Sequence, residues 1–148
     1  MHVDQTLVDA AIEQLNKRWP GAPNAVAAAV YLDDGSVLTG VSLDNLNAAM
    51  TLCAETGLIC QAFTFDRQVT ASVCVARFAD IDQQLVVLAP CGACQERLAL
   101  WGPEVEVGVA NPGSEGGWES RRLDEVNPYY WGAVFASGSP WPSMSEHI

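Results

Sequence analysis

The chain has 148 residues and a net charge of −11, with 18 acidic against 7 basic side chains. That length suits one domain with a substantial core, and the acidic balance excludes a footprint for phosphate backbones, so no nucleic acid polymer is expected as a partner. No apolar run approaches the ~20 residues of a membrane span, Met1-His2-Val3-Asp4 opens no signal-peptide pattern, and five cysteines, an odd number, suit a reducing compartment; the expectation is a soluble cytoplasmic protein with no membrane partner.

Residues 4–19 predict an amphipathic helix. Leu7, Val8, Ala11, Ile12, Leu15 and Trp19 recur at three- and four-residue steps, and Pro20-Gly21 stops it. Residues 25–32 read as a buried strand, Asp33-Asp34-Gly35-Ser36 as a hairpin turn and 37–41 as the returning strand. Thr51 is a natural N-cap for a helix over 52–63, with Leu58, Ile59, Ala62 and Phe63 facing the core. The β-branched, nearly continuous apolar run over 69–78 marks a central strand covered on both faces. Residues 85–88 form another strand, leading into Pro90, which sets the start of a helix over 91–101 that Gly102-Pro103 ends. A fifth strand over 105–110, a glycine-rich loop over 111–117 and a short helix over 123–126 follow. Asn127-Pro128-Tyr129-Tyr130-Trp131 is a dense aromatic cluster. From Gly132 the tail is rich in Gly, Ser and Pro and is expected to be loosely ordered, which sets the domain at 1–131 and the tail at 132–148. Cys60 and Cys74 lie in apolar stretches and read as core-filling thiols.

The chemistry concentrates at two helix starts, Thr51-Leu52-Cys53-Ala54-Glu55 and Ala89-Pro90-Cys91-Gly92-Ala93-Cys94. Cys91 and Cys94, three apart on a helix, share a face and can grip one ion together. Cys53 supplies a third sulfur, which leaves the fourth tetrahedral position to water, the layout of a catalytic rather than a structural zinc. Glu55, two residues past Cys53, is placed to handle protons beside the metal without binding it. Ligand-x-Glu followed later by Pro-Cys-x-x-Cys is the zinc nucleobase-deaminase signature in its three-cysteine form. A thiol-redox pair at Cys91 and Cys94, or inert buried thiols, are the competing readings. The redox pair leaves Cys53-Ala54-Glu55 unexplained.

On these motifs the chain resembles the cytidine deaminase family, including its blasticidin-S deaminase-like members, over residues 26–131. The resemblance implies hydrolytic deamination of a small aminopyrimidine nucleoside with loss of ammonia. It implies one Zn²⁺ per chain on Cys53, Cys91 and Cys94, with Glu55 as proton shuttle. Pro90 matches the residue before the paired cysteines, and Ala54 the one whose backbone meets the base. Helix-start amides near Ala54 and Cys94 are expected to stabilise developing charge. The implied fold is a three-layer α/β/α sandwich on a five-stranded mixed sheet, assembled as a homodimer or homotetramer.

The chain also departs from the family pattern. Ser42 and Asp44 stand where the family carries an Asn-x-Glu that holds a ribose hydroxyl, and Asn24 where it keeps a substrate-packing phenylalanine. Each reads either as a substrate contact or as an ordinary turn or loop residue. Trp131 and its aromatic neighbours either close the pocket, their own or a neighbour's, or serve surface packing. Three-cysteine members commonly place arginines directly after the glutamate and after the last cysteine; Thr56 and Gln95 stand there instead. Arg97 either reaches back to offset the charge of three thiolates or is a plain surface residue. Cytidine or deoxycytidine is the expected substrate, and a modified or antibiotic-type cytosine nucleoside such as blasticidin S the alternative. A non-catalytic zinc-binding or thiol-redox module is the alternative from another class.

Overall fold

The computed structural model describes residues 1–82, 84–137 and 141–142. The first helix, α1 (Gln5–Arg18), buries the face that its spacing predicts, Leu7, Val8, Ala11 and Leu15. Asp4 caps it by accepting from the Leu7 amide at 2.9 Å, and the same oxygen accepts from the Tyr31 hydroxyl at 3.0 Å. One carboxylate therefore ends the helix and fastens it to the sheet.

The strands β1 (Ala25–Leu32) and β2 (Val37–Val41) pair antiparallel across a turn in which Gly35 takes a φ of +82°. That left-handed conformation is one that glycine adopts at no steric cost. On its other edge β1 pairs antiparallel with β3 (Val69–Arg77). The short β4 (Leu85–Leu88) pairs antiparallel with the C-terminal half of β3, Cys74 opposite Leu88. Next, β5 (Glu106–Ala110) runs parallel to β3 at Ala71 and Ser72, and β6 (Trp118–Arg122) closes the sheet antiparallel to β5. The order is β2-β1-β3-β5-β6, with β4 beside β3. The sheet is mixed, as expected, and holds a sixth strand beyond the five read from the sequence.

Side chains along β1 sort by parity, as a pleated strand requires. Ala27, Ala29 and Tyr31 pack with Leu7, Val8, Ala11 and Leu15 of α1. Ala28, Val30 and Leu32 pack with Leu58, Ile59 and Ala62 of α2 (Ala54–Thr64) and Leu98 of α3 (Gly92–Leu98). Helices thus cover both faces in three layers. The small Ala27, Ala28 and Ala29, all fully buried, let both layers come close.

Three local expectations need correction. The α2 helix begins at Ala54, not Leu52, because Leu52 and Leu43 exchange two backbone hydrogen bonds at 3.0 Å that hold Leu52 extended. Thr51 instead ends a 3₁₀ turn over Ala48–Met50. Phe63 is 57% exposed and Cys60 is exposed as well, since α2 is apolar on nearly every side and its pattern does not single out the buried face. The third concerns the tail, where Trp131–Phe135 forms a 3₁₀ helix and Trp141 is buried in the α2/α3 core, 4.3 Å from the Tyr130 ring. Residues 138–140 and 143–148 of the segment expected to be loose lie outside the described residues. Among the described residues no helix is long and apolar enough to cross a membrane.

Candidate active site

Two connections deliver the sulfurs. The loop after β2 is pinned to β1 by the Ser42 amide on the Val26 carbonyl at 3.2 Å, then to itself by the Leu43–Leu52 bridge. It therefore releases the chain at a fixed point, with Cys53 at the N-cap of α2. Close approach of α2 to β2 depends on Gly40, where a Cβ would lie 2.9 Å from the Leu58 side chain and 3.4 Å from the Ala54 carbonyl. From β4 the chain passes through buried Pro90 to Cys91, the N-cap of α3, with Cys94 in the first turn. The Gln95 side chain donates to the Pro90 carbonyl at 2.9 Å and braces this start.

The three sulfurs lie within 4.8 Å of one another, with Cys53 Sγ 3.3 Å from Cys91 Sγ. Cys53 and Cys91 are exposed and Cys94 is buried. Among the described residues they are the group of three able to hold a metal ion. All-thiolate donors with open access on one side fit Zn²⁺ with a position left for solvent.

Their electrostatics point the same way. Burial raises the Cys91 thiol, but the Cys94 and Ala93 amides and the two neighbouring thiols outweigh it, so its pKa falls below the ordinary value. The Cys53 thiol is raised by its hydrogen bond with Cys91 and by burial, and Cys94 is pushed up by burial and by the charges of Glu55, Cys91 and Cys53. Sulfurs this close cannot all carry charge unaided; a divalent cation is what allows three thiolates to coexist. The amides of Ala93 and Cys94 face the Cys91 sulfur.

Glu55 is 3% exposed, and burial raises its carboxyl above the usual range, countered in part by its own amide, the Cys94 thiol and Arg97. Ala54, Glu55 and Thr56, the first turn of α2, are all buried. Arg97 Nη1 donates to Thr56 Oγ1 at 3.3 Å, so it crosses between α3 and α2. Gln95 is committed to Pro90.

The remaining sequence-predicted residues are placed as follows. Ser42 and Asp44 flank the Leu43–Leu52 bridge, and Asp44 is exposed. Asn24 is exposed and its side-chain oxygen accepts from the Ala79 amide at 3.1 Å, on the connection between β3 and β4. Trp131 is 64% exposed and donates through Nε1 to Glu96 at 2.8 Å; Tyr130 donates to the other Glu96 oxygen at 3.1 Å. The aromatic segment is thus clamped to α3 two residues past Cys94. Sequence reasoning missed Glu96, an isolated acid on a short helix with no patterned partner. Cys74 is a buried thiol, as expected, and its pKa is raised by burial and then by the charges of Glu55, Cys53 and Cys91.

Comparison with known proteins agrees with this site. The sequence model described as the cytidine and deoxycytidylate deaminase zinc-binding region matches residues 1–109. A cytidine deaminase of Mycobacterium tuberculosis is 36% identical over 74 residues, 50% of this chain and 52% of that protein, so the match spans about half the length of that curated relative. The blasticidin-S deaminase of Bacillus cereus is 24% identical over 104 residues, 68% of this chain and 74% of that one. The crystal structure of the cytidine deaminase from Bacillus anthracis superposes with a TM-score of 0.80 at 39% identity, covering 88% of this chain and 91% of the other. With the thiol cluster, the fold and these matches in agreement, this chain belongs to the cytidine and deoxycytidylate deaminase zinc-binding family.

Proposed function

We propose that the protein catalyses hydrolytic deamination of cytidine or deoxycytidine to the uridine form, releasing ammonia. The observation that carries this reading is the cluster of three thiols between two helix starts, with the buried Glu55 carboxyl against one of them, Cys94. Cys53, Cys91 and Cys94 would hold one Zn²⁺ per chain. When bound, the ion supplies an acidified water near neutral pH.

The chain's own residues do the rest. Glu55 takes one proton from the attacking water and delivers it to the ring nitrogen, where it stays in the product. It then takes the second proton, from the newly formed hydroxyl, and delivers it to the amine, so that the C–N bond breaks as the carbonyl forms and ammonia leaves. Its buried setting raises its proton affinity, which suits a group that must both take and give a proton near neutrality. Ala54 and Pro90, both buried, present the walls against which the base rests. Ser42 and Asp44, on the loop that leads to Cys53, serve the sugar hydroxyls, with Asn24 at the same end of β1. Trp131, fastened to Glu96, closes the pocket mouth.

The working form is a homodimer or homotetramer in the reducing cytoplasm. The exposed Tyr129, Trp131, Val134 and Phe135 on the C-terminal segment offer apolar area for such an assembly, and light scattering after size-exclusion chromatography reads the subunit number.

A second substrate reading is favoured by the likeness to the Bacillus cereus blasticidin-S deaminase and by the departures at Asn24, Ser42 and Asp44. In that reading the same chemistry acts on a modified cytosine nucleoside. A panel of cytidine, deoxycytidine, modified cytidines and blasticidin S, followed by ammonia release, separates the two. Turnover of cytidine or deoxycytidine above the others supports the first. No ammonia from any member overturns both.

A further inference from the structure

Three thiolates on a divalent ion leave the cluster one unit negative, and the Glu55 carboxyl lies beside it. Something must offset that charge from within the fold. The α2 helix, AETGLICQAFT, has no basic residue, and α3, GACQERL, has one, Arg97. The other six cations lie elsewhere. Lys17 and Arg18 close α1 on the opposite face of the sheet, and Arg67 pairs with Asp33 and Asp34. Arg77 is spent on Asn16 and the carbonyls of Trp19 and Ala22, while Arg121 and Arg122 pair with Glu119 and Asp124.

The spacing gives Arg97 its place. Thr56 follows Cys53 by three residues and Arg97 follows Cys94 by three. Each therefore sits one helical turn behind a cluster sulfur. The 3.3 Å hydrogen bond from Arg97 Nη1 to Thr56 Oγ1 joins these two positions and draws the guanidinium across the gap between the helices. Arg97 is partly buried and Thr56 only 7% exposed, so the charge is held where solvent screens it weakly. Among the described residues no ion pair joins Arg97 to an acid, and the neighbouring Glu96 accepts from Tyr130 and Trp131.

We infer that Arg97, held by Thr56, is the positioning residue that balances the charge of the three-thiolate centre and so sets its affinity for zinc. This rests on the zinc reading above and adds to it the source of the compensating charge.

The test is zinc affinity of the full chain, measured by competition with a chromophoric chelator, in the parent and in Arg97→Met, Arg97→Lys and Thr56→Val. Loss of the charge in Arg97→Met weakens zinc binding about ten- to a hundredfold, and the gap changes little as salt is raised. Arg97→Lys recovers most of the loss, because charge and not shape is what the cluster senses. Thr56→Val loses less than Arg97→Met and in the same direction. The assignment is overturned if folded Arg97→Met binds zinc as tightly as the parent, or if Arg97→Lys is no better than Arg97→Met. Should Arg97→Met fail to fold, Thr56→Val decides, and parental affinity in it overturns the tether and the inference with it. A parent chain that binds no zinc at all sinks the zinc reading itself, an outcome separate from the others.

Discussion

The helix on one face of the sheet and the two on the other begin in opposite ways. The N-terminus of α1 is saturated: Asp4 accepts from the Leu7 amide and ties to Tyr31, and everything below is apolar packing. The N-termini of α2 and α3 carry Cys53 and Cys91 at the cap position, so a sulfur stands where Asp4 presents an oxygen to α1. Cysteine is a poor cap, and the first turn of α2 also buries Glu55 and Thr56, two of the three buried polar side chains among the described residues. One face spends its helix start on stability, while the other gives up that stability and keeps its sulfurs, amides and carboxyl aimed at one point. A local rule broken twice at neighbouring positions is what a functional site looks like in a fold otherwise consistent with its sequence.

Substitutions on the two faces should therefore separate stability from chemistry. The largest effect falls on Cys91→Ser, where zinc content by mass spectrometry drops from about one per chain toward zero and turnover falls with it. A serine at that position that keeps full zinc and activity would remove Cys91 from the centre. Next comes Gly40→Val, whose side chain would collide with Leu58 under the first turn of α2. It should cost about 1–3 kcal/mol in denaturant unfolding and lower turnover as well, because the strain falls on the helix that carries Cys53. Asp4→Ala is the contrasting case. Loss of the cap and of the Tyr31 bond should cost about 1–2 kcal/mol with kcat and KM unchanged, so a fall in kcat would break the division between the faces.

A gain in stability is expected in one place. Burial raises the folded-state pKa of Glu55, so the metal-free folded chain binds more protons than the unfolded one and loses stability as pH rises above the ordinary carboxylate range. Metal-free Glu55→Gln should then be more stable than the metal-free parent near neutrality, with the difference closing toward acid pH. Parallel stability curves for the two proteins would show that the buried carboxyl imposes no such cost.

How far the fold could be read from residues differs by region for physical reasons. The α1 stripe, the hairpin around Gly35 and the β-branched run of β3 carry strong periodic or turn signals, and each appears within a residue or so of its expected bounds. The strand β6 escaped because Trp118-Glu119-Ser120-Arg121-Arg122 has no apolar alternation. It is an edge strand whose charges guard the sheet, and its partner β5 fixes it in place. The start of α2 was misplaced because the Leu43–Leu52 bridge is a contact between positions nine apart, invisible to capping rules that favoured Thr51. Trp141 gave no signal in a stretch of Gly, Ser and Pro, yet it fills the core beside Tyr130. The cluster of Cys53, Cys91 and Cys94 was legible because metal chemistry restricts residue type and spacing. The contacts of Asn24 and Trp131 were not, since single polar and aromatic residues carry no period and their partners Ala79 and Glu96 are distant in sequence.

The central claim is that the Glu55 carboxyl moves protons at a centre that Cys53, Cys91 and Cys94 build. The most direct measurement compares cytidine turnover, by loss of cytosine absorbance, in the parent and in Glu55→Gln at equal zinc content. The account predicts that the variant keeps its zinc and loses about 10²–10⁴-fold in kcat. Equal turnover in the two proteins would contradict it.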